Sequence, residues 1–226
     1  MERSFMTDRE IFSRIDHTLL KTVSSWEEIK ILCDEAVKFK TAAVCIPPSY
    51  VKPVYEQYGN EPVIATVIGF PLGYNVTAVK VLETENAIKD GAAEIDMVIN
   101  IGDVKNGYFD RVLAEIKLLK KTCSDKILKV IIETCYLTED EKIRLCGIVT
   151  EAGADYIKTS TGFGTAGATL ADVELFKKHI GSQVKIKAAG GVKTREDLEA
   201  FIAAGADRIG TSSAVKILSG GVAAQY

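Results

Sequence analysis

Histidine is nearly absent from this chain of 226 residues, which has only His17 and His179. Two histidines cannot build a multi-histidine metal cage within one chain, so a zinc hydrolase is disfavoured and no metal is expected at the site. Cysteine is also scarce: there are five, at positions 33, 45, 123, 135 and 146, an odd number with no C-x-x-C pair. A disulfide framework needs pairing and a small secreted scaffold, so reduced, mostly buried thiols in a cytoplasmic protein are expected. No stretch approaches the ~20 apolar residues of a membrane span. The charged start MERSFMTDREIF has no apolar run long enough for a signal peptide. Charge of one sign is missing too, since 28 Lys and Arg against 31 Asp and Glu leave −3. That balance argues against nucleic-acid or membrane-surface partners, which need concentrated positive charge.

Hydrophobic residues make up 47% and charged residues 26%, values that fit a globular domain and make disorder a poor reading. Short β-branched runs recur near 14–19, 42–46, 63–69, 94–100, 128–134, 155–160, 184–189 and 207–212. Segments with helical spacing separate most of them, among them WEEIKILCDEAVKFK, FDRVLAEIKLLKK and TREDLEAFIAAG. The stretch 48–59 is the exception, because Pro48 and Pro53 both interrupt it. Eight strands at intervals of about 28 residues, alternating with helices, imply parallel pairing through right-handed crossovers. The fold expected is α/β, a single (β/α)₈ TIM barrel over residues 1–226, with a doubly wound open sheet as the rival. No linker or composition shift divides the chain.

Internal similarity supports the repeat. DGAAEIDMVIN (90–100), EAGADYIKTST (151–161) and AAGADRIGTSS (203–213) each read as a helix end, a capping glycine and a strand. The fifth residue after that glycine is Asp96, Lys158 or Gly210. In a barrel these positions are equivalent on the fourth, sixth and eighth strands, near the carboxyl-end face where active sites form.

Lys158 lies in a β-branched run between Ile157 and Thr159, where a solvated charge is out of place. It is either a strand-end lysine whose ammonium snorkels to water or an amine nucleophile for a carbonyl substrate. The nucleophile must be unprotonated, so burial and a nearby cation have to lower its pKa. Lys187, in VKIKAAGG on the next strand, is the preferred cation; Lys185 has the same parity one layer lower and competes with it. The bland alternative is a lysine pair held by carboxylates. Asp96 either neutralises a lysine or serves as proton donor and acceptor beside the amine. Glu133, ending the fifth strand, ranks behind it as a salt-bridge partner.

Two glycine turns follow the last strands. Gly190-Gly191 leads into Thr194-x-x-Asp197, an approximate capping box, and Gly210-Thr211-Ser212-Ser213 opens a final short helical stretch. Backbone N–H groups at such turns make a barrel phosphate cradle, with Lys193 adding charge; two ordinary turns are the plain alternative. Residues 162–167, beginning at Gly162, spell G-x-G-x-x-G, but the region about 20 residues on holds Lys185 and Lys187 where a dinucleotide fold wants an acid. NAD binding is therefore rejected, and no cofactor is expected. Cys45 reads as a buried filler near the pocket, His17 as a hydrogen-bonded residue at the barrel mouth, and Tyr226 as a frayed end.

Taken in order, DHTLL, AAVCIPP, VIGFPLG, EIDMVIN, KTSTGF, KAAGGVKT and RIGTSS resemble the deoxyribose-phosphate aldolase family of class I, Schiff-base aldolases. The resemblance covers nearly the whole chain. It implies a barrel that reversibly cleaves 2-deoxy-D-ribose 5-phosphate to D-glyceraldehyde 3-phosphate and acetaldehyde without metal. It puts the Schiff-base lysine at Lys158, the second lysine at Lys187 and the aspartate at Asp96. Phosphate-contacting turns fall on Gly162, Gly190, Gly191, Gly210, Ser212 and Ser213. Some members carry a lysine where Phe163 stands here, and Lys193 replaces an arginine, a point charge in place of a planar fork. Two other readings stay open: a Schiff-base barrel aldolase for a phosphorylated or acidic keto sugar, and a non-catalytic phosphosugar-binding barrel. A small phosphorylated sugar is the expected partner, and a homodimer or higher homo-oligomer is compatible with the sequence.

Overall fold

A computed structural model describes residues 6–221; Tyr226 lies outside them. In chain order the elements are α1 (Asp8–Phe12), β1 (Ile15–Thr18), α2 (Trp26–Phe39), β2 (Ala43–Ile46), α3 (Val51–Tyr58), β3 (Ile64–Ile68) and α4 (Thr77–Lys89). Then come β4 (Glu94–Val98), α5 (Ile101–Lys105), α6 (Phe109–Cys123), β5 (Ile127–Ile131), α7 (Glu139–Glu151) and β6 (Tyr156–Lys158). The chain continues through α8 (Leu170–His179), β7 (Lys185–Ala189), α9 (Arg195–Ala204), β8 (Arg208–Thr211) and α10 (Ala214–Leu218). All eight strands pair in parallel in sequence order, and β8 closes on β1, so the sheet is a barrel and the open-sheet rival is excluded.

Seven strands fall inside their expected runs, and β5 begins one residue before its run, at Ile127. The 48–59 stretch does not behave as its prolines suggest: a 3-10 turn at Pro48–Tyr50 leads straight into α3, with Pro53 in the first turn. An N–H has no intrahelical partner there, so proline costs little. Helix starts follow their side chains. Ser25, Thr138 and Thr194 each form a full capping box, the last with Asp197 as expected.

Strand alternation separates two environments. Outward residues such as Ile15, Ile46, Ile64, Ile95, Val130, Ile157 and Ile209 join the helices in one continuous apolar core. Inward, Ala43 and Cys45 of β2 with Ala65 and Val67 of β3 form a separate small cluster. Those short side chains leave the barrel centre open on one side. The opposite strands fill it with long ones: Lys129, Lys158, Lys187 and Arg208 are all buried. No helix among the described residues is long and apolar enough to cross a membrane.

Candidate active site

The interior charges form one connected cluster. Asp96 Oδ2 accepts from Lys158 Nζ at 2.7 Å and from Lys187 Nζ at 2.6 Å, while Oδ1 accepts from Lys129 Nζ at 2.9 Å. Asp16 accepts from Lys187, from Lys129 at 3.2 Å and from Arg208. Glu94 pairs with Lys129 and, at 3.2 Å, with Arg208. Three carboxylates thus face four basic groups. With Lys158 neutral the buried cluster carries no net charge; with Lys158 protonated it carries one excess positive charge.

The protonation preferences follow from that count. Burial and then the Lys187 charge lower the Lys158 pKa, and the pull of Asp96 in the other direction does not prevail. Lys187 is raised instead: Asp16 and Asp96 outweigh its burial, so it stays an ammonium. Asp96 is held well below the usual carboxylate range by Lys129, Lys158 and Lys187, against the opposing effect of burial. Asp96 is therefore a carboxylate at rest, an acceptor rather than a donor.

Lys158 alone of this cluster reaches the floor of a cavity of about 500 Å³ at the carboxyl ends of the strands. Gly162, Gly190, Gly191, Gly210, Ser212 and Ser213 all line it, with Lys193, Leu20 and Phe163. Gly190 and Gly191 take φ of +79° and +80°, a region side chains rarely enter, so the turn after β7 depends on both being glycine. Gly210 is glycine for a different reason. A Cβ there would stand 3.2 Å from Lys187 Cε, so the missing side chain makes room for the Lys187 stem.

Several expectations need correcting. The start of α9 offers no free amides at Lys193 and Thr194, because Asp197 Oδ2 accepts both N–H groups, at 2.8 and 3.0 Å. The double-glycine turn itself, rather than that helix end, forms the wall. Lys185 is exposed at the amino end of β7, its ammonium 5.8 Å from the Tyr156 ring, and does not compete with Lys187. His17 is not at the mouth: strand parity turns it outward, where its Nε2 lies 2.7 Å from Glu35 on α2. Glu133 is not a salt-bridge partner but accepts from the backbone and hydroxyl of Thr161. Cys45, by contrast, needs no correction: it is buried inside the barrel as the expected filler, beside Ala65 and Val67. Phe163 packs edge-on to Phe70, centroids 5.4 Å apart, making one rim of the cavity apolar.

Sequence reasoning missed Asp16, Lys129, Glu94 and Arg208. Each sits in a β-branched run at inward parity, as Lys158 does, and that pattern was the available signal.

Comparison with known proteins agrees with this geometry. A family model described as "DeoC/LacD family aldolase" matches residues 11–221. A deoxyribose-phosphate aldolase of Clostridium botulinum (strain Alaska E43 / Type E3) is 61% identical over 95% of this chain and 97% of its own length. One of Clostridioides difficile (strain 630) is 60% identical over 93% of this chain and 96% of its own. A solved tetrameric deoxyribose phosphate aldolase from Aeropyrum pernix superposes with a TM-score of 0.89 at 30% identity, covering 94% of this chain and 91% of that one. With a buried amine at the floor of a cavity of about 500 Å³ and a family model spanning nearly every described residue, the chain belongs to the DeoC/LacD family of aldolases.

Proposed function

We propose that this chain is a Schiff-base aldolase that reversibly cleaves 2-deoxy-D-ribose 5-phosphate into D-glyceraldehyde 3-phosphate and acetaldehyde. The observation that carries the reading is the shared oxygen: Asp96 Oδ2 bridges Lys158 and Lys187, and only Lys158 opens to the cavity. Neutral Lys158 attacks the C1 aldehyde of the open-chain sugar, and loss of water leaves an iminium. The iminium nitrogen takes up the electron pair when the C2–C3 bond breaks, as the C3 hydroxyl gives up its proton and becomes the aldehyde of the departing glyceraldehyde phosphate. The enamine that remains is protonated at C2, and hydrolysis releases acetaldehyde and the free amine. Asp96 and Lys187, directly or through a water, carry these protons; the shared oxygen is the shortest route between the two nitrogens.

The sugar phosphate rests against the turns at Gly162, Gly190, Gly191 and Gly210 and the hydroxyls of Ser212 and Ser213, with Lys193 at the rim. The whole chain, 1–226, is read as one domain, which the closure of all eight strands into one sheet supports. Five free cysteines, four of them buried, support a reducing compartment such as the cytoplasm. Homo-oligomeric assembly belongs to the same reading; the tetrameric Aeropyrum pernix relative supports it.

Reduction with cyanoborohydride in the presence of acetaldehyde tests the chemistry. Mass spectrometry should find one ethyl group on the peptide containing Lys158, and Lys158→Ala should abolish both labelling and turnover. Full activity in that variant, or labelling elsewhere, defeats the assignment. A non-catalytic phosphosugar barrel leaves no adduct, and release of glyceraldehyde 3-phosphate from deoxyribose 5-phosphate separates this reading from a keto-sugar aldolase.

A further inference from the structure

We propose that Glu133 is a positioning residue for the phosphate end of the cavity: through Thr161 it holds the loop after β6 against the double-glycine turn after β7. The inference rests on the aldolase reading above and adds to it a residue that never touches Lys158 Nζ.

Glu133 follows β5 with φ +53°, in the left-handed region. Lys40 and Ser124, the other non-glycine residues with positive φ among the described residues, both terminate helices, where such backbone is common. Glu133 precedes only a short 3-10 turn, so helix termination does not account for it. Its neighbours are tied to the end of β6: Ile132 N donates to Lys158 O at 3.1 Å and Thr134 N to Thr159 O at 2.9 Å. The twist between them aims the Glu133 side chain under the loop that follows Lys158.

There the carboxylate is buried and held mainly by Thr161, with Cys135 Sγ farther off at 4.0 Å from Oε1. Thr161 N donates to it at 3.1 and 3.3 Å, and Thr161 Oγ1 donates to Oε2. Thr161 Oγ1 in turn accepts from Phe163 N at 3.0 Å. A Cβ on Gly164 would come within 3.1 Å of Glu133 Cδ, which places the carboxylate directly beneath the loop. The far side of the loop rests on the β7 turn. A Cβ on Gly190 would lie 3.7 Å from Gly162 Cα, and one on Gly167 would lie 2.4 Å from the Gly190 carbonyl carbon. Ala168 N donates to Ala189 O and Gly190 O at 3.1 and 3.2 Å. A continuous path therefore runs from Glu133 through Thr161 and the 162–168 loop to Gly190. It bypasses the Asp96 cluster, so its loss should loosen phosphate binding and leave amine chemistry intact.

The test uses the full chain with Glu133→Gln, Thr161→Val and Thr161→Ser. KM and kcat are measured with deoxyribose 5-phosphate, and the rate and pH midpoint of acetaldehyde trapping at Lys158 are measured in parallel. Glu133→Gln and Thr161→Val should each raise KM about tenfold, the scale of one charge-assisted hydrogen bond. The trapping rate and its midpoint should match the parent. Thr161→Ser, which keeps the hydroxyl, should restore KM. An unchanged KM in Thr161→Val overturns the proposal, and that variant decides the matter if Glu133→Gln does not fold. A moved trapping midpoint in Glu133→Gln also overturns it, since the carboxylate would then act on the amine through its charge. Failure of the parent chain to be trapped is a separate result and strikes the aldolase reading itself.

Discussion

Replacing Lys187 by leucine isolates the electrostatic half of the site. Lys158 Nζ and Lys187 Nζ bind the same carboxylate oxygen at 2.7 and 2.6 Å, so they stand no more than about 5.3 Å apart. At that separation two like charges repel by about 3 kcal/mol with an effective dielectric near 20. Lys187→Leu removes this repulsion and also strips one of the three ammoniums from Asp96, leaving its charge to stabilise protonated Lys158. Both changes favour the ammonium. At a fixed pH below its titration, the neutral fraction of Lys158 should fall by a factor on the order of 10². The assay is the initial rate of acetaldehyde trapping at Lys158 as a function of pH. In the parent the rate should level off below the ordinary lysine range, and in Lys187→Leu the midpoint should move upward. The variant also leaves Asp16 and Asp96 with fewer cations and should lose roughly 3–5 kcal/mol of stability, so trapping is run cold on protein shown to be folded. Identical midpoints for parent and variant would falsify the claim that the second lysine keeps the first one neutral.

Other perturbations probe the surroundings. Asp16 is held below the usual carboxylate range because Lys129, Lys187 and Arg208 outweigh its burial. A carboxyl with a depressed folded-state pKa contributes stability above its unfolded value of about 3.9 and loses that contribution as pH falls towards the folded value. Asp16→Asn should therefore lower the urea midpoint at pH 7 and approach the parent in strong acid; a gap that does not change with pH argues against this account. Gly167→Ala drives a Cβ to 2.4 Å from the Gly190 carbonyl carbon. It should cost about 1–3 kcal/mol and raise KM for the phosphorylated sugar, and a parent-like KM would show that the β7 turn tolerates displacement. Lys80, buried between α4 and α6, donates to Glu115 and to Val98 O, each at 2.8 Å. Lys80→Met strands Glu115 and should cost roughly 3–5 kcal/mol in urea unfolding, with activity of the folded fraction retained. A loss under about 1 kcal/mol would mean that water reaches the carboxylate.

The strand pattern was readable because alternation is a one-dimensional property. A residue's parity within a β-branched run fixes its side of the sheet, and the glycine three residues before β4, β6 and β8 marks the register there. The lysine at 158 stood out for that reason, and the same reasoning placed Lys187 and Asp96 beside it. Lys129, Asp16 and Arg208 carried the same signal but no motif to separate them from ordinary strand-end charges. Glu133 looked like another interior acid, whereas a left-handed backbone sets its carboxylate on Thr161 and outside the hydrogen-bonded Asp96 cluster. His17 was misplaced because DHTLL puts it next to Asp16, and one residue along a strand reverses the face.

The sequence by itself determined a parallel eight-strand barrel, its inward parity and the inward placement of Lys158, since each follows from local periodicity and motif order. Only the tertiary structure decided which charges meet. Closing the barrel brings residues from β1, β4, β5, β6, β7 and β8 around one centre, and the small side chains of β2 and β3 leave the space they fill. The carboxylates facing each amine, one for Lys158 against two for Lys187, set which lysine has its pKa lowered. That count depends on contacts more than a hundred residues apart along the chain, such as Asp16 with Lys187, which no local pattern records.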